Sequence, residues 1–137
     1  MIYKIETNMS KDIIAKELED KAKAMGFGVL QHYDFKKILK EKGFPIEREI
    51  TVFELCNPSG TQQALTAMPD ISIYLPCRLS VYEENVKTVL STIGFEDILN
   101  AVTVDEEFQD FMKELFEKIK RLMQSWDTKY LDIGMLR

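Results

Sequence analysis

Two cysteines and a single histidine are the residues of this 137-residue chain best suited to chemistry beyond simple ionisation. Cys56 opens the run Cys56-Asn57-Pro58-Ser59, which reads as the end of a strand followed by a turn and a helix start. Free N–H groups at such a start favour a thiolate or a bound anion. The same run also fits a small apolar residue before a turn, so Cys56 and Asn57 are candidate ligand-binding residues with a plain structural alternative. Cys77 alternates with Leu75 and Leu79 on the apolar side of a strand. It is the third candidate, with a buried free cysteine as its alternative. A bond between the two thiols would be redox-active in a reducing compartment, and it needs Cα atoms within about 7 Å. Parallel strands would bring both thiols to one end. Antiparallel strands would separate them unless a bend at Pro76 brought them back.

Other chemistry is excluded or unsupported. A structural zinc site usually takes four Cys or His ligands, and nothing places His32 beside the cysteines, so no metal is expected. The chain carries neither common phosphate-binding glycine pattern and no Gly-x-Ser-x-Gly elbow, and no cofactor is implied. No pair of carboxylates stands out for acid–base work. A net charge of −5 repels phosphate backbones, so no nucleic acid partner is expected. The lysines at 36, 37, 40 and 42 lie among Asp34 and Glu41 and read as a solvated helix face.

These candidates need elements to position them. With 45% hydrophobic and 30% charged residues, the composition is that of a globular domain, and no linker divides it. One domain over 1–126 is expected, followed by a tail over 127–137 that lacks a clear period. No apolar run reaches the ~20 residues of a membrane span. The opening residues lack the marks of an export signal. A soluble, cytoplasmic protein with no membrane partner is the expectation.

Strands are expected over 2–6, 27–33 (bent at Gly28), 50–56, 71–82 and 86–93, the last two forming a hairpin through Glu83-Glu84-Asn85. Pro76 removes a ladder donor, which predicts an edge strand or a bulge. Helices are expected after Ser10, ending at Gly26; after Asp34, through Lys42; and over 95–101. Capping boxes at Ser59/Gln62 and Thr103/Glu106 predict two more. The last is the longest, with a stripe of Phe108, Phe111, Met112, Leu115, Ile119, Leu122, Met123 and Trp126. The fold class is therefore α+β: two layers, a mainly antiparallel sheet of about five strands, helices on one face and a long C-terminal helix.

The segments Gly26-Phe27-Gly28-Val29-Leu30, Glu54-Leu55-Cys56-Asn57-Pro58 and Leu75-Pro76-Cys77-Arg78 together resemble those of the domain of unknown function 302 family, small prokaryotic proteins with these motifs in this order. The resemblance covers about residues 1–126. It implies a two-layer α+β fold with helices against a mainly antiparallel sheet, and it carries no established activity, substrate or catalytic residue. Three functional readings follow. The first is a binding module for a small anionic or apolar molecule near Cys56, Asn57 and Cys77. The second is a thiol-dependent redox or sulfur-handling protein using Cys56 and Cys77. The third is a structural, self-associating domain. Homodimerisation is expected through an exposed edge near Pro76 and the apolar tail.

Overall fold

The structure, a computed structural model, describes residues 1–127. The tail beyond Asp127, to which a pairing role was assigned above, lies outside the described residues. Five strands, β1 (Ile2–Thr7), β2 (Gly28–Asp34), β3 (Ile50–Cys56), β4 (Cys77–Glu84) and β5 (Lys87–Ile93), form one sheet in the order β1-β5-β4-β3-β2. All four pairings are antiparallel. Five helices, α1 (Lys11–Ala24), α2 (Phe35–Glu41), α3 (Pro58–Ala67), α4 (Phe95–Ala101) and α5 (Glu106–Gln124), complete the α+β fold. No helix among the described residues is long and apolar enough to cross a membrane.

The principal core lies between one face of the sheet and helices α1 and α5. Ile14, Leu18 and Ala22 recur at helical spacing on α1 and are buried, as are Ile119, Leu122 and Met123 of α5. They meet Ile5, Phe53, Leu55, Leu79, Val81 and Leu90, which the register aligns on one face of the strands. Ser10 caps α1 by accepting the Ile13 N–H at 3.2 Å, and Asp34 caps α2 by accepting that of Lys37 at 3.3 Å. Trp126 closes the layer: fully buried, it donates Nε1–H to Glu17 of α1 at 2.9 Å.

Several expectations are corrected. Residues Pro69–Tyr74 form a 3-10 helix, and the strand begins only at Cys77. The alternation of Ile71 and Ile73 is real, but Pro69 opens a turn with a repeat of three. Ile71 is therefore fully buried, with Tyr74 packed against the same cluster, while Ile73 is 71% exposed. Pro76 lies neither on an edge nor in a bulge: a cis peptide joins it to Leu75, and it precedes the central strand β4, where it costs no ladder bond. The irregularity in β2 falls at Leu30 and not at Gly28. Its extra residue reverses the alternation, so His32 pairs with Phe53 on the covered face and Tyr33 with Val52 on the other. Val86 belongs to the hairpin turn, with Asn85 and Val86 at φ of 52° and 70°.

Both capping boxes also give way to nearer acceptors. Asn57 caps α3 and Asp105 caps α5, leaving Ser59 inside its helix and Thr103 before its own. Asn and Asp present an acceptor at the N-cap as well as Ser or Thr do, so the box spacing alone does not choose between adjacent candidates.

Candidate functional site

Beyond one end of β3 and β4, a second and smaller core gathers Ala64 of α3, Ile71 of the 3-10 helix, Ile98 of α4, and Met112 and Phe116 of α5. The three predicted site residues stand where this cluster meets the principal core.

Asn57 holds the junction together. Its Oδ1 accepts the Gly60 N–H at 2.7 Å, and its Nδ2 donates to the Gly26 carbonyl at 3.1 Å. One side chain thereby ties the start of α3 to the turn that ends α1. Gly26 turns at φ +84°, and a Cβ there would stand 3.3 Å from Asn57 Nδ2. The amide of Asn57 thus has an architectural duty, although the residue also lines the junction.

Cys56 is half-buried, with its Sγ 3.3 Å from the Thr61 Oγ1 of α3. Cys77 pairs across the ladder with Leu55, the residue before Cys56. The strands are antiparallel, yet both cysteines stand at the same end. Cys77 is the first residue of β4, and the strand that would have put it midway does not exist. Both thiols are free. Burial pushes the Cys77 thiol up to about 11, the neighbouring Cys56 thiol adds to the rise, and a backbone hydrogen bond opposes it. At neutral pH this thiol is protonated and a poor nucleophile.

Between the two cores lies a cavity of about 20 Å³, room for about one water molecule. Leu55 and Cys77 of the sheet, with Phe27 just before β2, form one side; the cap Asn57 and Gly60, Thr61 and Ala64 of α3, with Ile71, Tyr74 and Leu75, form a second wall. Ile98, Met112, Leu115 and Phe116 close it, and none of the described residues that line it is charged. Gly60 lets α3 approach α5 closely, since a Cβ there would stand 2.7 Å from a methyl of Leu115. Thr61, Tyr74 and the α5 residues of this lining were missed by the sequence reading. Small residues four apart, Gly60 and Ala64, were the available sign of a close helix approach. Tyr74 carried none, because it was assigned to a strand.

His32 is not brought to the cysteines. It lies across from Phe53, ring centroids 6.0 Å apart, in an open cleft of about 340 Å³ shared with Lys11, Glu19 and Asp34. Among the described residues no group of three His, Cys, Asp or Glu side chains is arranged to hold a metal. On the opposite sheet face, a hydrogen bond to Glu54 leads the causes that raise the Tyr33 hydroxyl above its ordinary value, followed by burial and the Glu54 charge, with Arg78 opposing.

Known proteins agree with this architecture. A crystal structure of an uncharacterized conserved protein DUF302 from Bacillus stearothermophilus superposes with a TM-score of 0.83, covering 91% of this chain and 97% of that one at 22% identity. At that identity the likeness shows the fold. No curated protein matches the chain. The model of the family described as Domain of unknown function DUF302 matches residues 3–126, nearly the whole described chain, and the protein belongs to that family.

Proposed function

We propose that this protein is a small binding module that takes a neutral, largely apolar molecule into the seam between its two cores. The observation that carries the reading is the cavity itself, an apolar space flanked by Asn57 and Cys77 and rimmed by Thr61 and Tyr74. Small-molecule sites are mostly apolar with a few convergent polar groups, and the seam has that lining at a volume far below the few hundred Å³ such sites usually enclose. The uncharged lining removes the anionic ligand from the first reading. A ligand's polar end would meet the Thr61 hydroxyl or the protonated Cys77 thiol. Because the space has room for only about one water, entry of a ligand requires α3 and the 3-10 helix to move outward. Short elements around a small core are the low-stability units from which such movements are drawn. Thiol-dependent chemistry is the weaker reading, since Cys77 is held protonated. Two free thiols suit a reducing compartment, and on that ground we assign the protein to the cytoplasm.

Titration with indole, followed by 1H–15N spectra and thermal melting, tests this. Shifts confined to the cavity lining and a rise in Tm are expected, and both should vanish in Ala64→Leu, which overfills the space at a cost of about 1–3 kcal/mol and whose own dispersed spectrum and cooperative melt check that it is folded. An unperturbed wild-type spectrum at the solubility limit of indole would overturn the reading, as would equal shifts in Ala64→Leu.

A further inference from the structure

Every strand residue of the principal core comes from one face of the sheet, and the second core uses none from either face. Neither cluster places a helix against the other face, and α2 reaches only its β2 margin, where Phe35 stacks on Tyr33 with ring centroids 6.3 Å apart. The middle row of this face runs Lys4, Ser91, Ser80, Val52 and Tyr33 across all five strands, and the next runs Glu6, Val89, Tyr82 and Ile50. Antiparallel sheets with one wet face usually alternate apolar-in with polar-out. Here the outward residues are Val, Ile, Tyr and Ser at the centre, half-buried except for Val89, which is 3% exposed, and charges appear only at the margins. Glu54 pairs with Arg78 across the ladder at one end. At the other, Arg48 meets Glu84 at 3.7 Å and Lys87 meets Glu6 at 3.8 Å. Arg48 also lies 5.8 Å from the Tyr82 ring centre. An uncharged, aromatic-bearing centre inside a charged rim is the anatomy of a protein interface.

We propose that this face is where two copies of the chain associate, sheet against sheet. The charge of the face selects the occupant. Lys4, Arg48, Arg78 and Lys87 stand against Glu6, Glu54 and Glu84, four cations to three carboxylates, on a chain whose net charge is −5. The negative excess therefore lies elsewhere, and this is the surface on which two copies meet without like-charge repulsion. Mixed signs around the rim also let a two-fold rotation set cations opposite carboxylates. A nucleic acid or anionic membrane would need a clear cationic excess, which the face lacks.

The area sets the strength. Five strands about 4.8 Å apart and about 20 Å long give a footprint of roughly 500 Å² per copy. Two copies bury roughly 1,000 Å², the lower limit for a specific interface, so the dimer is weak and concentration-dependent. Ser80, on the central strand and in the middle row, lies near any two-fold axis that overlaps the faces fully. This proposal is independent of the cavity: it rests on the opposite side of the sheet.

Sedimentation velocity on the full chain, from about 1 μM to about 1 mM, reads the association. Wild type should pass from monomer to dimer within that range, with dilution-dependent NMR shifts on Val52, Ser80, Tyr82 and Ser91. Ser80→Lys should weaken the dimer at least tenfold by bringing two lysines together. An equimolar mixture of Ser80→Lys with Ser80→Glu should restore it, which a misfolded variant could not do. Lys113→Glu, on the exposed side of α5, should leave it unchanged. A wild type that stays monomeric throughout would show that the face serves some other partner and would overturn the proposal. So would a dimer indifferent to Ser80→Lys, or one lost equally in Lys113→Glu.

Discussion

In the principal core, α1 and α5 keep a helical period and the strands keep a period of two, so Ile14, Leu18 and Ala22 meet Leu79 and Val81 layer on layer. The second core is assembled differently. Ala64, Ile71, Ile98, Met112 and Phe116 come from four segments, of which only α5 is long enough to show a period of its own. Regular periods fill space without remainder, whereas short segments arriving at different angles leave a seam, and the cavity lies along it. The comparison teaches where this protein can change shape: the layered core sets its global stability, and the smaller core can open against it.

The sharpest way to break that contrast is to remove one large side chain from each core. Trp126→Ala deletes a fully buried ring bonded to Glu17 and should cost about 3–5 kcal/mol, lowering the global transition. Ile71→Ala should cost about 2–4 kcal/mol of local stability. Amide exchange should then rise in α3 and the 3-10 helix while the central strands stay protected. Equal loss of protection in the sheet would show that the two cores unfold as one unit.

Cys77 reports on the seam between them. Its folded pKa is raised from 9.0 to about 11. Below about pH 9 both folded and unfolded states hold the proton, and stability does not depend on this group. Between about pH 9 and 11 the unfolded state binds fewer protons than the native state, so stability falls as pH rises, by on the order of 2 kcal/mol. Cys77→Ala should remove that slope from urea midpoints measured across the interval. A wild-type slope no steeper than that of the variant would mean that water reaches the thiol and the seam is already open.

The same contrast explains what the sequence made legible. The α+β class, the bounds of β3 and α4, the caps at Ser10 and Asp34 and the long helix all rest on periodicity or on one strong local preference. The second core was not legible. Ile71 and Ile73 look alike to a period-two reading, and only packing against Ile98 and Phe116 decides which of them is buried. The candidate residues were found at the correct turn, but for partly different reasons. Asn57 proved to be the cap assigned to Ser59, and Cys77 stands beside the end of β3 because its strand starts six residues later than expected. The bulge at Leu30 had no signal beyond the neighbouring Gly28, though it decides which face carries His32 and which carries Tyr33.

The smallest effect tests the far end of the central hairpin, away from the seam. Glu84 pairs with Lys87, so Asn85 and Val86 alone make the turn, both with positive φ. Asn tolerates that region, whereas a β-branched residue rarely enters it. The left-handed conformation costs a non-glycine residue about 1–2 kcal/mol, and Asn-Gly is the preferred pair in this kind of turn. Val86 is fully exposed, so no packing is lost when its side chain is removed. Val86→Gly should therefore relieve the penalty, while the greater freedom of glycine in the unfolded chain takes back about 0.5–1 kcal/mol. The net gain should be about 0.5–1 kcal/mol, read as a raised urea midpoint with an unchanged m-value. Val86→Ala keeps the left-handed cost and should gain much less. A Val86→Gly variant no more stable than wild type would show that the hairpin turns by another geometry.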